Sequence, residues 1–286
     1  MKNTIKYYYN FDNINLIRSN ESMYIKYKQE IYVFCRIINK DETLEIYSLT
    51  RNMPNFYQFI INKDNSIFTP YQNNLCVLLK VTPKKNITFK ANRVVLPYKN
   101  YLLDRSNWYE LWTKKNDYFE YQQHHIYGKF KIIDESINYY IGLAENAISY
   151  ISYNIRNETI QEQKTICHKR IDKNGYFNPL NCVIDYKERD LAEYLKYIFL
   201  NKQYLSLNLE KIVISFNSTK RGYTLLFGRL LYPSFYFDLY ERIINNYDNE
   251  NKLIEIIKRN KEYEEYLKNI YSIINKYTDI KKVDWL

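Results

Sequence analysis

The stretch richest in potential chemistry runs from Thr165 to Lys196, TICHKRIDKNGYFNPLNCVIDYKERDLAEYLK. It sets the thiol of Cys167 beside His168, then Lys169-Arg170, the amides Asn178 and Asn181, and the carboxylate Asp185. A thiol next to an imidazole has the makings of a nucleophile and its base. Such a pair needs an orienting third group, and the sequence identifies none. His168 reads instead as a hydrogen-bonding brace for its loop. Asp190 and Glu193, beside Arg189, could be a charged site, but an N-cap and first-turn acids of a helix explain Asp190 better. Zinc would need clustered cysteine and histidine. The four cysteines, Cys35, Cys76, Cys167 and Cys182, form no C-x-x-C and suggest no disulfide framework. His124-His125 point about 100° apart on a helix, which argues against a shared metal.

Composition narrows the function classes. The chain has 286 residues, 42 basic and 32 acidic, for a formal charge of +10. Apolar residues make up 46% and charged residues 26%, which excludes wholesale disorder. With 5 glycines and 6 prolines it is no collagen or linker. Tyrosine, at 33 residues, is the outlier. AT-rich codons account for it, with cross-linking or stacking as the functional reading. The N-terminus lacks an export signal and no run is long enough to span a membrane, so an intracellular protein is expected. The basic run Lys80 to Arg93 reads as a solvated linker, because no nucleic-acid-binding signature accompanies it.

These residues need elements to hold them. The first 80 residues read mostly as strands. Met23–Tyr27 and Ile31–Ile38 form one hairpin, and Asn55–Ile61 with Asn65–Thr69 form a second around Asn62-Lys63-Asp64. Asp41-Glu42 opens a helix between the two hairpins, and Leu75–Val81 reads as a buried strand. After Pro83 the period changes from two to 3.6. Asn107 with Glu110 resembles a capping box. From Asp134, residues Ile137, Ile141, Ala144, Ile148 and Ile151 make one apolar stripe. Asp190–Leu200 reads as a helix, Tyr223–Tyr240 as a helix pair broken at Pro233 with an exposed aromatic patch as the alternative, and Asn251–Tyr277 as one final helix. Glu255–Arg259 and Glu264–Lys268 are its expected ion pairs. The expected class is α+β, with a β-rich N-lobe over 1–81 and a helical C-lobe over 82–286.

The Thr165–Lys196 frame resembles the aminoglycoside-phosphotransferase-like kinases. There, a His-Gly-Asp loop is followed by an Asn and by a strand ending in Ile-Asp, then a helix starting Asp-Leu-Ala. In that chemistry one Asp orients the acceptor hydroxyl, while the Asn and second Asp hold Mg²⁺ on the phosphates. Here His168 keeps the loop histidine, Arg170 stands at the base, Gly175 falls at the Asn, and Asp185 matches the metal-binding Asp. Arginine stays protonated and cannot accept the proton. Asn178 or Asn181 could serve only in a longer loop. No glycine precedes Gly128, so a glycine-rich phosphate loop is missing, and Arg36 falls near the place of the phosphate-pairing lysine.

INYYIGLAENAISYI (137–151), TICHKRI (165–171), DYKERDLAEYLK (185–196) and LLFGRLLYPSFYFDLYE (225–241) resemble the YutH type of endospore coat-associated proteins, related to the CotS coat proteins. That resemblance implies a two-lobed kinase-like fold with a degenerate site at His168, Arg170 and Asp185, and no cofactor or metal. It also implies other spore coat proteins as partners, no nucleic acid, and a location in the mother-cell cytoplasm and then the spore coat. The expected function is a catalytically inactive, structural or interaction role in coat assembly. An active small-molecule kinase is the alternative. Arg170 is expected to turn toward Asp185 or an acid nearby, replacing the metal with a fixed charge.

Overall fold

The computed structural model describes residues 1–18, 23–82, 87, 94–155, 163–172 and 175–286. Most of the basic run after Lys80 therefore lies outside the described residues. The chain divides into two compact units. The first comprises 1–88, 97–104 and 168–184, and the second comprises 89–96, 105–167 and 185–286.

The first unit is built on an antiparallel sheet. Its strands are β1 (Asn15–Arg18), β2 (Met23–Tyr27), β3 (Glu30–Arg36), β4 (Gln58–Ile60), β5 (Phe68–Tyr71) and β6 (Asn74–Lys80). The order is β1-β2-β3-β6-β4, and β5 also pairs with β6. The β2–β3 hairpin forms as the sequence predicts, with Tyr27 opposite Glu30. The expected β4–β5 hairpin does not. Both strands pair antiparallel with β6, β4 against Leu78–Lys80 and β5 against Asn74–Val77. The other edge of β6 is filled by β3, so β4 and β5 follow one another along the remaining edge. The Asn62 side chain makes this possible, accepting from the amides of Asp64 and Ser66 and donating to the Phe68 carbonyl. The β5–β6 turn uses Gln72 and Asn73 at φ 47 and 60, the left-handed pair that matches strand twist.

Each sheet face carries its own apolar cluster. Ile25, Tyr32 and Leu78 pack with Ile5 of helix α1 (Lys2–Tyr9). Val33, Val77 and Leu79 pack with Ile37 and Tyr57 on the opposite face. Helix α2 (Lys40–Thr50) starts where Asn39 Oδ1 accepts from the amides of Asp41 and Glu42. Glu45 of α2 accepts from the Leu103 amide at 2.9 Å.

Helices dominate the second unit. Asn107 caps α3 (Trp108–Ile126) by accepting from the Glu110 amide. Helix α4 (Lys131–Ile155) starts three residues before Asp134, and its buried stripe includes Ile137, Ile141, Ala144 and Ile151. Strands β7 (Lys164–His168) and β8 (Cys182–Tyr186) form a two-stranded sheet. Then come α5 (Glu188–Leu200), α6 (Leu209–Ser215), α7 (Lys220–Leu231) and α8 (Ser234–Ile244). Pro233 separates α7 from α8, and Tyr223, Tyr232, Tyr236, Phe237 and Tyr240 are buried, so these aromatics are core.

Two expectations are corrected here. The final segment is two helices, α9 (Lys252–Ile257) and α10 (Asn260–Asn275), broken at Arg259. Arg259 leaves the helical path to donate to the carbonyls of Phe199 and Leu200 at the C-terminus of α5, where a cation is favourable. Its carboxylate partner is Glu262, Lys268 pairs with Glu265, and Glu264 takes the Tyr139 hydroxyl. Asp190 is not an N-cap but an acid in the first turn of α5, which begins two residues earlier.

Candidate functional site

The loop from His168 to Asn181 lies in the first unit and is tied to itself. The His168 ring stacks on Tyr176 at 4.7 Å, and its Nε2 lies 3.0 Å from the Tyr176 carbonyl. Asp172 Oδ1 accepts from the Gly175 amide at 2.6 Å. Asn181 Nδ2 donates to the carbonyls of Arg170 at 2.7 Å and Gly175 at 3.1 Å. Asn178 Oδ1 accepts from the Leu180 amide, capping a short 3-10 turn at Pro179–Asn181. Both amides proposed as stand-ins for the metal-binding Asn thus hold the loop's backbone.

A side chain at Gly175 would crowd its neighbours. A Cβ there would lie 2.9 Å from Asn181 Nδ2 and 3.0 Å from Asp172 Oδ2, closer than non-bonded contacts tolerate. Arg170 Nη1 donates to the Lys169 carbonyl at 2.7 Å. The sequence reading overlooked Asp172, a carboxylate close to the base position that binds the turn.

Asp185 lies in the second unit at the end of β8 and is fully buried. Its Oδ2 accepts from Trp108 Nε1 at 2.9 Å and from Arg189 Nη1 at 2.7 Å. Its Oδ1 accepts from the Tyr186 amide at 2.7 Å. Burial pushes the Asp185 carboxyl up, opposed by the Arg189 and Arg229 guanidiniums and the indole N–H. The guanidinium bonded to Asp185 within the second unit is that of Arg189. A one-turn spacing from strand end to helix start, Asp185 to Arg189, was the available signal. Arg229 pairs with Glu193 at 2.9 Å and lies over the ring of Trp108.

Cys167 is buried, and its thiol lies 3.3 Å from the Tyr186 carbonyl. Burial raises its pKa well above the ordinary thiol range, the reverse of what a nucleophile needs.

On the sheet, the pleat places Cys35 and Arg36 on opposite faces of β3. Cys35 pairs with Val77 and shares the face of Val33 and Leu79. Arg36 has the parity of Tyr32 and Phe34 and so lies on the α1 face.

A family model described as "Spore coat putative kinase YutH" matches residues 2–270. The chain belongs to this YutH family. It is 27% identical over 295 aligned residues to the endospore coat-associated protein YutH of Bacillus subtilis (strain 168), covering 87% of this chain and 86% of that one. An aminoglycoside phosphotransferase from Alicyclobacillus acidocaldarius superposes with a TM-score of 0.56 at 9% identity, over 96% of each chain. A spectinomycin phosphotransferase solved with ADP and spectinomycin gives 0.47 at 12% identity, over 90% of this chain and 92% of that one. The fold of this YutH-family chain is thus kinase-like, of the aminoglycoside-phosphotransferase type.

That fold implies Mg²⁺, and the residues at the matching positions do not fit it. Mg²⁺ takes oxygen ligands in octahedral geometry. The position that the resemblance aligns with that Asn is Gly175, which has no side-chain ligand to offer and lies against the Asn181 and Asp172 side chains, and Asp185 already holds a guanidinium. Among the described residues no three of His, Cys, Asp and Glu are grouped to hold a metal ion, and no helix is long and apolar enough to cross a membrane.

Proposed function

We propose that this YutH-family chain is a catalytically inactive kinase-like protein with a structural or interaction role in spore coat assembly. The observation that carries this is the loop at the base position. Arg170 stands where a carboxylate must accept the hydroxyl proton, and Gly175, Asn178 and Asn181 are committed to the loop itself. Phosphoryl transfer consists almost entirely of positioning and electrostatics, so losing these groups removes the reaction. His168, Arg170 and Asp185 are remnants of that site, and no cofactor or metal is used. The partners are other spore coat proteins, met after synthesis in the mother-cell cytoplasm, and the relative's own coat association supports that placement. Tyrosine surfaces suit such contacts, having apolar area and a hydrogen-bonding tip.

The competing reading is an active small-molecule kinase using Asn178 or Asn181 with Asp185. It requires Asn178 Oδ1 to leave the Leu180 amide, or Asn181 to offer its Oδ1 while its Nδ2 holds the loop. The deciding experiment is phosphate transfer from ATP with Mg²⁺ to a panel of hydroxyl and amine acceptors. No turnover is expected; turnover that disappears in Asp185→Ala would establish the kinase.

A further inference from the structure

Asp185 is a carboxylate with no exposure, and such a group needs a positive partner. The structure supplies one from the chain. Arg189, in the first turn of α5, reaches back to Asp185 Oδ2 at 2.7 Å. Trp108 and the Tyr186 amide complete the donors on the two oxygens. Arg229 adds a second guanidinium nearby, balanced by Glu193. Among these four contacting groups, Asp185 and Glu193 cancel Arg189 and Arg229. Nearby, Glu188 is also occupied, accepting from Ser218 Oγ at 2.6 Å.

We propose that Arg189 is a built-in cation standing where a metal would sit on Asp185, converting that carboxylate from a metal ligand into a structural tie between β8, α3 and α5. The proposal rests on the reading of the chain as inactive, and deepens it by naming what replaced the metal.

The test combines Mn²⁺ titration followed by electron paramagnetic resonance with thermal unfolding of the full chain. The wild type should bind no Mn²⁺ that depends on Asp185, and its Tm should not move with Mg²⁺. Arg189→Met should lower Tm by roughly 10 °C, because it strands a buried charge. Arg189→Lys should recover most of that loss, and adding Asp185→Asn to Arg189→Met should recover part of it. Mn²⁺ binding by the wild type that vanishes in Asp185→Asn would overturn the proposal. So would an Arg189→Met chain as stable as the wild type. If the methionine variant does not fold, the wild-type titration and the lysine variant still decide. Turnover without Mn²⁺ at Asp185 would sink the inactive reading alone. Mn²⁺ at Asp185 without turnover would sink this proposal alone.

Discussion

Cys35 illustrates how a single side chain can be placed by strand parity. It stands on the Val33 face of β3. Burial pushes its thiol up to about 12. A thiolate is the reactive form, so a pKa that far above the ordinary 8.5 cuts its fraction at neutral pH by a factor on the order of 1,000. Iodoacetamide labelling of the native chain, mapped by mass spectrometry, should leave Cys35 unmodified on the time scale on which a free thiol reacts fully. Denaturant should restore ordinary labelling. Fast labelling of Cys35 in the folded chain would show that the side chain is not seated as described.

Among the elements, α5 departs most from its sequence pattern. Its charged residues suggest a helix with a solvated face, yet Glu188 to Phe199 are all buried. Each charge for which a contact is described is met inside. Arg189 meets Asp185, Glu193 meets Arg229, and Lys196 donates to the Tyr232 carbonyl and Ser234 Oγ. Helix α7 packs on both α5 and α4, and Gly228 permits its approach to α4. A Cβ at 228 would come within 2.4 Å of Ile151 Cδ1 and 2.9 Å of its Cγ1. Ile151 is itself buried and has little room to yield. Gly228→Ala should therefore destabilise the fold by about 1–3 kcal/mol, the usual cost of overpacking. Urea unfolding would measure it, and a gain from better helix propensity would contradict the packing.

Across the whole molecule, tyrosine is the distinctive material. Many hydroxyls are donors to fixed acceptors, as Tyr263 to the Leu230 carbonyl at 2.7 Å and Tyr266 to the Leu195 carbonyl at 3.1 Å. Burial raises the pKa of Tyr9, Tyr57 and Tyr240 to about 12. A phenol whose folded pKa exceeds its unfolded value near 10 binds its proton more tightly in the folded chain. Its contribution is fully present below about pH 10 and is lost as pH rises through about 12. Near-ultraviolet titration of the native chain should thus give two classes. One class should ionise in the ordinary phenol range, and the buried class, with Tyr9, Tyr57 and Tyr240 in it, only with alkaline unfolding. A single class near pH 10 with the fold intact would contradict the burial.

Short-range chemistry determined much of this protein from its sequence alone. Asn39 and Asn107 mark helix starts because their side chains satisfy the first amides. Val33 and the β6 run read as buried strand, and the isoleucine stripe of α4 reads as core. The type of fold was legible through the resemblance of the Thr165–Lys196 frame to the aminoglycoside-phosphotransferase-like kinases. What the sequence could not decide depended on groups far apart along the chain. The shared edge of β6 follows from β3 already occupying the other one. The break at Arg259 follows from carbonyls some 60 residues away at the end of α5. Arg170 and Arg189 are equal in chemistry, and only the tertiary structure joined Arg189 to Asp185. It did so because the chain turns from β8 directly into α5, with Trp108 of α3 donating to the same oxygen.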